Sequence, residues 1–368
     1  MKVLDRYIAR ELLGPFAFGV AIFVSVFVAG NVLLQVTRLV ADYHPSSLQV
    51  LKYFVFSLPG YVVLTFPMSM LLSVLLAFGR LSGDAETVAM RMGGIAFGRL
   101  MAPVVIVAAA VSLLTISFNE GVVPRASRAA EDLYTRIVGG SPIEVQDYPV
   151  VKEVQDGRLV SVTWARRLYP KRGLMEDATY IRQQDNQPVL IVHGRRAVWE
   201  GRVWLFRDGT ADYISPERVV RVVIPKDRPL RVEFATSPRE IARSQLTAEQ
   251  MTWRQLRERI AYAVRQGMRG AELSELRVQW HNKISLPFAC LVFALIGAPL
   301  GVRGHRSSTS VGLGLAVFIV FIYYVIWHYL TVVAERGGMN PLLAAWTPDL
   351  IGGIVGGALI AKVSRWGH

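Results

Sequence analysis

Residues 12–36 read LLGPFAFGVAIFVSVFVAGNVLLQV and contain no Asp, Glu, Lys or Arg. A helix needs about 20 apolar residues to cross the roughly 30 Å hydrocarbon core of a bilayer, and this stretch is long enough. Apolar runs of similar length recur at residues 53–79, 100–119, 284–302, 307–334 and 341–361, and only the last contains a carboxylate, Asp349. The sequence therefore predicts six transmembrane helices.

The overall composition agrees with a membrane protein. Of the 368 residues, 52% are hydrophobic, and the mean hydropathy is +0.35, which is unusual for a soluble chain. Lys2, Arg6 and Arg10 before the first run also resemble a cleavable signal. The run is longer than the apolar region of a signal peptide, and no small-x-small cleavage site follows it, so we expect a retained first helix.

Lys and Arg residues in the short loops predict the orientation. If the N-terminus is cytoplasmic, ten of these residues lie on the cytoplasmic side: Lys2, Arg6, Arg10, Arg80, Arg91, Arg99, Arg303, Arg306, Lys362 and Arg365. Only Arg38, Lys52 and Arg336 then lie in short loops on the other side. We therefore expect a multi-pass inner-membrane protein with both termini in the cytoplasm and the long segment 121–278 outside.

The exported segment shows the alternation of β-strands. Apolar and β-branched residues alternate at residues 150–154, 159–164, 189–192, 197–206 and 219–224, separated by turn signals at Asp156-Gly157, Glu200-Gly201 and Asp208-Gly209. The segment 199–202 has the pattern of a tight hairpin. The sequence predicts a sandwich or jelly roll. The expected organisation is helices 1–3 in residues 1–120, the β domain in 121–278 and helices 4–6 in 279–368.

Two helices are expected after the strands. Thr247-Ala-Glu-Gln250 has the capping-box pattern and opens a helix with Leu256, Ile260 and Val264 at near-helical spacing. Gly267 and Gly270 end that helix, and a second one from Ala271 is expected to continue into the fourth span. Cys290 is the sole cysteine and excludes an intramolecular disulfide.

No catalytic motif is present in the sequence. A nucleotide-binding loop GxxxxGK[ST], an HExxH pair and paired CxxC motifs are all missing. The chain is therefore expected not to be an enzyme and to need no metal or cofactor. The net charge of +13 belongs mainly to the exported segment and fits either an anionic partner or solubility beside a membrane, and DNA binding there is improbable.

The loop between spans two and three reads GRLSGDAETVAMRMGGIAFGRL from Gly79 to Leu100. It predicts a short helix capped by Ser82 or Asp84 and ended by Gly93-Gly94. Glu86 and Arg91 would be its exposed charges. The helix fits either a contact with a cytoplasmic partner or a solvated loop whose charges only set the topology.

Two polar stripes occur within the spans. Asn31, Gln35 and Arg38 follow i, i+4, i+7 spacing in the first span, and Tyr324, His328 and Thr331 form a similar stripe in the fifth. Such residues either line an aqueous cavity for a polar headgroup or pack between helices and snorkel to the interface.

Several segments occur in a characteristic order: LDRYI at residues 4–8, AETVAM at 85–90 followed by Gly93-Gly94, HNKISLP at 281–287 with GAPLG at 297–301, and LAAWTP at 343–348. Together they resemble the lipopolysaccharide export permeases of the LptF/LptG type over essentially the whole chain. The opening segment favours the LptG kind. Permeases of the LptG kind carry several basic residues near the outer end of the first helix. Arg38 stands at one such position, whereas Asn31 and Thr37 stand where basic residues are expected.

The resemblance implies an ATP-driven exporter of lipopolysaccharide or a similar glycolipid. Its partners would be a second related permease, a dimer of a cytoplasmic ATPase and a periplasmic bridge protein, and the β domain would be a periplasmic jelly roll. Glu86, with Arg91, would couple to the ATPase, whereas Asn31, Gln35, Arg38, Tyr324 and His328 would line the lipid cavity. The alternatives are a non-transporting envelope scaffold and an ion-coupled transporter. The sequence disfavours the ion-coupled transporter because it contains no internal repeat and no acidic residue near mid-membrane.

Overall fold

A computed structural model supplies the coordinates. It describes residues 3–137, 146–147, 150–155, 158–170, 172–185, 187–201, 203–216, 218–233, 237–238, 241, 246–265, 268–302 and 309–365. The chain folds into two compact units. The first comprises Met1–His44, Val50–Ser127 and Gly270–His368, and the second comprises Pro45–Gln49 and Arg128–Arg269.

The described part of the first unit is helical, and the second unit contains helical residues 128–137 and 253–265 besides its strands. In chain order the helices are α1 (Val3–Phe27), a π-helical turn (Val28–Val32), α2 (Leu33–Tyr43), α3 (Ser47–Gly83), α4 (Glu86–Met92), α5 (Phe97–Gly121), α6 (Val123–Ile137), α7 (Trp253–Arg265), α8 (Ala271–Gly301), α9 (Thr309–Glu335) and α10 (Pro341–Arg365). Six helical spans among the described residues are long and apolar enough to cross a membrane. They overlap the six predicted runs, and α8 is continuous from Ala271 as expected.

Helix α8 packs closely against two neighbouring helices through glycines. Gly297 of α8 lies against Leu71 and Val74 of α3, at 3.2–3.3 Å from where its Cβ would be. A Cβ at Gly356 of α10 would lie 2.9 Å from the Cβ of Leu295. Small residues at these crossings let the backbones approach, and dispersion contacts then hold helices together in an apolar medium.

Strands of the second unit form one antiparallel sheet. They are β1 (Gln146–Asp147), β2 (Val150–Gln155), β3 (Arg158–Tyr169), β4 (Leu174–Gln184), β5 (Gln187–Glu200), β6 (Val203–Ser215), β7 (Arg218–Ile224) and β8 (Leu230–Val232). The main order is β1-β3-β4-β5-β6-β7, with β2 also paired to β3 and β8 to β6. Six apolar helical spans and an antiparallel sheet confirm the predicted combination of a helical membrane part and a β domain; the jelly roll remains a prediction.

The pairing is interrupted along one line across the four central strands, which we call the crease. The ladder of paired residues skips one position in each of strands β3 to β6, at Arg166, Asp177, Arg195 and Asp208. Asp177 and Asp208 have positive φ values of 47° and 55°. The Arg166 guanidinium lies 2.9 Å from the Asp177 carboxylate, so the crease residues alternate in charge across neighbouring strands. Aspartate tolerates this left-handed backbone better than most residues, which explains its place at the crease.

The two sides of the crease have different edge strands and share one core. On one side β3 pairs with β2 and β6 with β7, and on the other β3 pairs with β1 and β6 with β8. Val192 and Ala211 from the first side and Trp204 and Phe206 from the second belong to a single buried cluster. Residues from both sides of the crease therefore share one hydrophobic core.

The structure overturns one predicted turn and adds one strand. Asp208-Gly209 was predicted to be a turn, which is wrong, because both residues lie inside β6. Strand β4 was not predicted. The hairpin is confirmed by the pairing of Glu200 with Val203, but its two-residue turn begins with Gly201 (φ 68°), whereas the sequence pattern predicts a turn that ends with this glycine. The predicted turn at Asp156-Gly157 lies outside the described residues.

The predicted capping box is displaced by five residues. Helix α7 begins at Trp253, so Thr247 does not open it. The box is formed by Thr252 and Gln255: the Gln255 side-chain oxygen accepts from the Thr252 backbone N–H at 3.0 Å, and the Thr252 hydroxyl accepts from the Gln255 N–H at 3.2 Å. Gln255 also accepts from Arg128 at 2.9 Å, which ties α7 to α6.

Candidate functional site

Helix α4 is a seven-residue helix that follows a left-handed residue. Ala85 stands at its N-cap with φ 58° and offers no side-chain hydrogen bond, so the prediction that Ser82 or Asp84 caps it is wrong. The Ser82 hydroxyl instead donates to the Val302 carbonyl at 3.1 Å. The helix ends at Gly93-Gly94 as predicted, with φ 82° at Gly94.

The two charged residues of α4 are engaged by other helices. The Tyr7 hydroxyl of α1 lies 2.8 and 3.1 Å from the two carboxylate oxygens of Glu86. Arg91 donates to the Val363 carbonyl of α10 at 3.3 Å. Both side chains are half-buried rather than exposed, which corrects the expectation from the loop sequence.

The same end of α1 is tied to its neighbours at three further points. Asp5 pairs with Arg99 of α5 at 2.7 Å, and Glu11 pairs with Arg80 of α3 at 2.7 Å. The Ser73 hydroxyl of α3 donates to the Leu12 carbonyl at 2.6 Å.

The remaining surface of α4 is apolar and open. Met92 is 85% exposed and Val88 is 49% exposed, and the two are four residues apart, so they share one face of the helix. Helix α4 therefore presents an exposed apolar pair beside its two engaged charges.

The polar stripe of the first span follows an irregular turn. Asn31 lies in the π-helical turn Val28–Val32, and Gln35 and Arg38 lie on α2, all three exposed. The Gln35 amide oxygen accepts from the Tyr53 hydroxyl of α3 at 3.2 Å. Arg38 makes no hydrogen bond or ion pair with any residue that the structure describes. Single π-turns in long helices are frequent at functional sites.

The stripe of the fifth span is divided between the interior and the surface. The Tyr324 hydroxyl donates to the Leu64 carbonyl of α3 at 3.3 Å, whereas His328 is exposed and lies against Trp327. Thr331 is buried. No hydrogen bond or ion pair between described residues joins this stripe to Asn31, Gln35 or Arg38.

Sequence reasoning missed one buried polar contact in the bundle. The Tyr323 hydroxyl of α9 donates to one carboxylate oxygen of Asp349 in α10 at 2.8 Å, and Asp349 is only 4% exposed. The second oxygen has no hydrogen-bond partner among the described residues. A carboxylate within a predicted span was the one available signal, since such residues usually face the bundle interior.

The six spans differ in how much of their surface the chain itself covers. The most apolar window is 78% buried in the second span and 67% in the fourth, but 17% in the first and 22% in the fifth. The exposed side chains of the fifth include Phe318, Phe321 and Tyr329. The first and fifth spans therefore have the largest free apolar faces.

Among the described residues, no cluster of His, Cys, Asp or Glu is suited to hold a metal ion. A family model described as the lipopolysaccharide export system permease LptF/LptG matches residues 6–362, nearly the whole chain. No curated protein shows significant similarity to the chain. The family is the permease of lipopolysaccharide export, which together with the apolar spans makes this a multi-pass inner-membrane transport protein of a system with partner subunits. The chain belongs to the lipopolysaccharide export permease family LptF/LptG.

Proposed function

We propose that this chain is a transmembrane subunit of an ATP-driven exporter that extracts lipopolysaccharide from the inner membrane and passes it toward the outer membrane. The family match over residues 6–362 carries this proposal. Both termini lie in the cytoplasm and the β unit in the periplasm, as the loop charges indicate. A separate cytoplasmic ATPase dimer hydrolyses ATP, and a second related permease completes the lipid cavity.

Helix α4 receives the force of the ATPase. Met92 and Val88 give it an apolar contact surface, and Glu86 gives it a fixed charge beside that surface. Arg91 holds the end of the helix to α10. An interface with an apolar centre and a polar rim is the usual form of a specific protein contact.

The first and fifth spans form the lateral entrance for lipid together with the second permease. Their low burial, 17% and 22%, supports this role because a face that the chain does not cover must meet lipid or another subunit. Arg38, exposed and without an ion pair among the described residues, is suited to attract the phosphate of a headgroup. Gln35, Asn31 and His328 add exposed polar groups to the two spans.

The second unit continues the path as a jelly roll, and the buried cluster shared by the two sides of the crease supports this. Strand β7 pairs with β6 alone among the described strands, and Val219 and Val223 on it are 62% and 71% exposed. An exposed apolar edge strand is a template for addition of a partner strand. A periplasmic bridge protein with a β edge would occupy it.

Co-purification tests the assembly. We expect an affinity-tagged chain to bring down an ATPase and a second permease from the membrane in fixed proportion. A chain that purifies alone, or with envelope proteins only, would instead support a non-transporting scaffold. Met92→Asp should weaken recovery of the ATPase, and recovery equal to wild type would argue against the α4 contact.

Lipid contact is tested with a matched pair of charge reversals. Arg38→Glu should reduce photo-crosslinking between the first span and lipopolysaccharide and slow lipid extraction. Arg257→Glu makes the same change at an exposed arginine of α7, outside the first and fifth spans, and should have little effect. Equal crosslinking in both variants would contradict a binding role for Arg38.

A further inference from the structure

The hydroxyl of Tyr7 contacts both carboxylate oxygens of Glu86, which lies 79 positions later in the chain. A carboxylate offers about four acceptor sites, so this one donor leaves Glu86 able to accept from a partner's cation as well. The contact fixes the direction of the side chain without consuming its charge. The contact also joins two helices with different proposed roles. Helix α1 belongs to the span that forms the lipid entrance, and α4 contacts the ATPase.

Helix α4 cannot hold its own geometry. Seven residues are too few for an isolated helix in water, and the N-cap contributes no side-chain hydrogen bond. Its stability must therefore come from tertiary contacts: buried Thr87, the Arg91 contact with Val363 and the Tyr7 contact with Glu86. Glu86 is the first residue of α4, so Tyr7 holds the beginning of this helix.

Tyr7 is itself placed on the most firmly held part of α1. The ion pairs Asp5–Arg99 and Glu11–Arg80 lie on either side of it. From there α1, the π-helical turn and α2 form one helical span, Val3–Tyr43, which carries Gln35 and Arg38 at its far end. A displacement of Glu86 thus acts directly on the helix that carries the lipid-facing stripe.

We propose that Tyr7 is a positioning residue that presents the Glu86 carboxylate to the ATPase and links movement of α4 to the first transmembrane span. This inference rests on the proposed function of α4 as the ATPase contact. Loss of the Tyr7 hydroxyl leaves the Glu86 charge in place but lets its side chain rotate. The ATPase would then still bind, while its stroke would move α1 less.

The test is a double-mutant cycle in the complete complex, reconstituted in nanodiscs with lipopolysaccharide. We expect Tyr7→Phe to lower lipid-stimulated ATP turnover about threefold to tenfold, the range of an ordinary hydrogen bond, because solvent screens the charge at this partly exposed site. Glu86→Ala should lower it at least as much, and adding Tyr7→Phe to Glu86→Ala should lower it no further. Tyr43→Phe is the matched control on the same span, because its hydroxyl is exposed and has no partner among the described residues.

Three results of the turnover measurement would overturn the inference. If Tyr7→Phe turned over ATP at the wild-type rate, the positioning role of Tyr7 would be refuted, and the proposed ATPase contact of α4 would still stand. An equal loss from Tyr7→Phe with and without Glu86 would show that Tyr7 acts through another group. An inert Glu86→Ala would remove the coupling role of α4 itself, and the inference with it. A nitroxide at exposed Ala89 gives a second readout: its spectrum should report greater mobility in Tyr7→Phe, and an unchanged spectrum would contradict the proposal.

Discussion

Two adjacent glycines of α10 predict opposite outcomes for the same substitution. A Cβ at Gly356 would lie 2.9 Å from the Cβ of Leu295 and 3.1 Å from its backbone carbon, whereas a Cβ at Gly357 would meet nothing within 4 Å. Carbon atoms are at their optimal separation at about 3.5–4.0 Å, so Gly356→Ala must move α10 and α8 apart by about 0.6 Å or more. Backbone atoms cannot rotate away as a flexible side chain would.

The helix-propensity gain of replacing glycine by alanine, about 1 kcal/mol, applies to both positions and cancels between them. What remains is overpacking at Gly356, which costs about 1–3 kcal/mol in a well-packed core. We therefore expect Gly356→Ala to be about 1–3 kcal/mol less stable than Gly357→Ala. At about 2–4 °C per kcal/mol for chains of moderate size, the unfolding midpoint should differ by several degrees.

The measurement compares thermal unfolding of the two variants and wild type in one detergent at one scan rate. We expect Gly357→Ala at or slightly above wild type and Gly356→Ala clearly below Gly357→Ala. Equal midpoints for the two variants would refute the close α8–α10 crossing. A lower midpoint for Gly357→Ala than for Gly356→Ala would mean that the two faces of α10 are assigned the wrong way round.

Three further predictions follow from single contacts. Tyr323→Phe removes the hydrogen bond to buried Asp349, so the free energy of unfolding should fall by about 1.5–3 kcal/mol in detergent denaturation, and an unchanged value would contradict the contact. Met92→Asp should weaken ATPase affinity about tenfold or more, because the apolar contact is lost and a charge is buried; titration of detergent-purified subunits measures it, with exposed Val3→Asp as control. Arg221 donates to Asp212 at 2.7 Å and lowers the pKa of that carboxyl from its ordinary value of 3.8. Because the folded-state pKa is lowered, the pair stabilises the fold above the unfolded-state pKa, and this stabilisation is lost as pH falls through the folded-state pKa. Arg221→Gln should therefore raise the Asp212 pKa, which an NMR titration measures.

The spans were predictable because apolar length is a direct property of the sequence, and α4 was predictable because Gly93-Gly94 ends it. The crease was not. Asp208-Gly209 has the composition of a turn, and the same left-handed preference also suits a bend inside a strand. Glu176-Asp177 interrupts the apolar alternation at the same crease, which hid β4. Pairing with neighbouring strands determines whether such residues form a turn or lie inside a strand. The local sequence pattern does not contain this information.

For the predicted site residues, the sequence gives the residue types but not the contacts that the fold makes with them. Glu86 was singled out from its loop, but its exposure was misjudged because Tyr7 lies 79 positions away. Asp349 interrupted the sixth apolar run, and only the fold shows that Tyr323 faces it. The capping box occurred twice in pattern, at Thr247 and at Thr252. The second precedes the helix directly, a spacing that sequence inspection could have used.

Lipid transfer by a reconstituted complex tests the central claim most directly. The chain, its partner permease and the ATPase would be placed in proteoliposomes containing lipopolysaccharide, with the periplasmic bridge protein as acceptor. We predict ATP-dependent appearance of lipopolysaccharide on the acceptor, strongly reduced by Glu86→Ala. A complex that assembles and hydrolyses ATP but transfers no lipid to the acceptor would contradict the account.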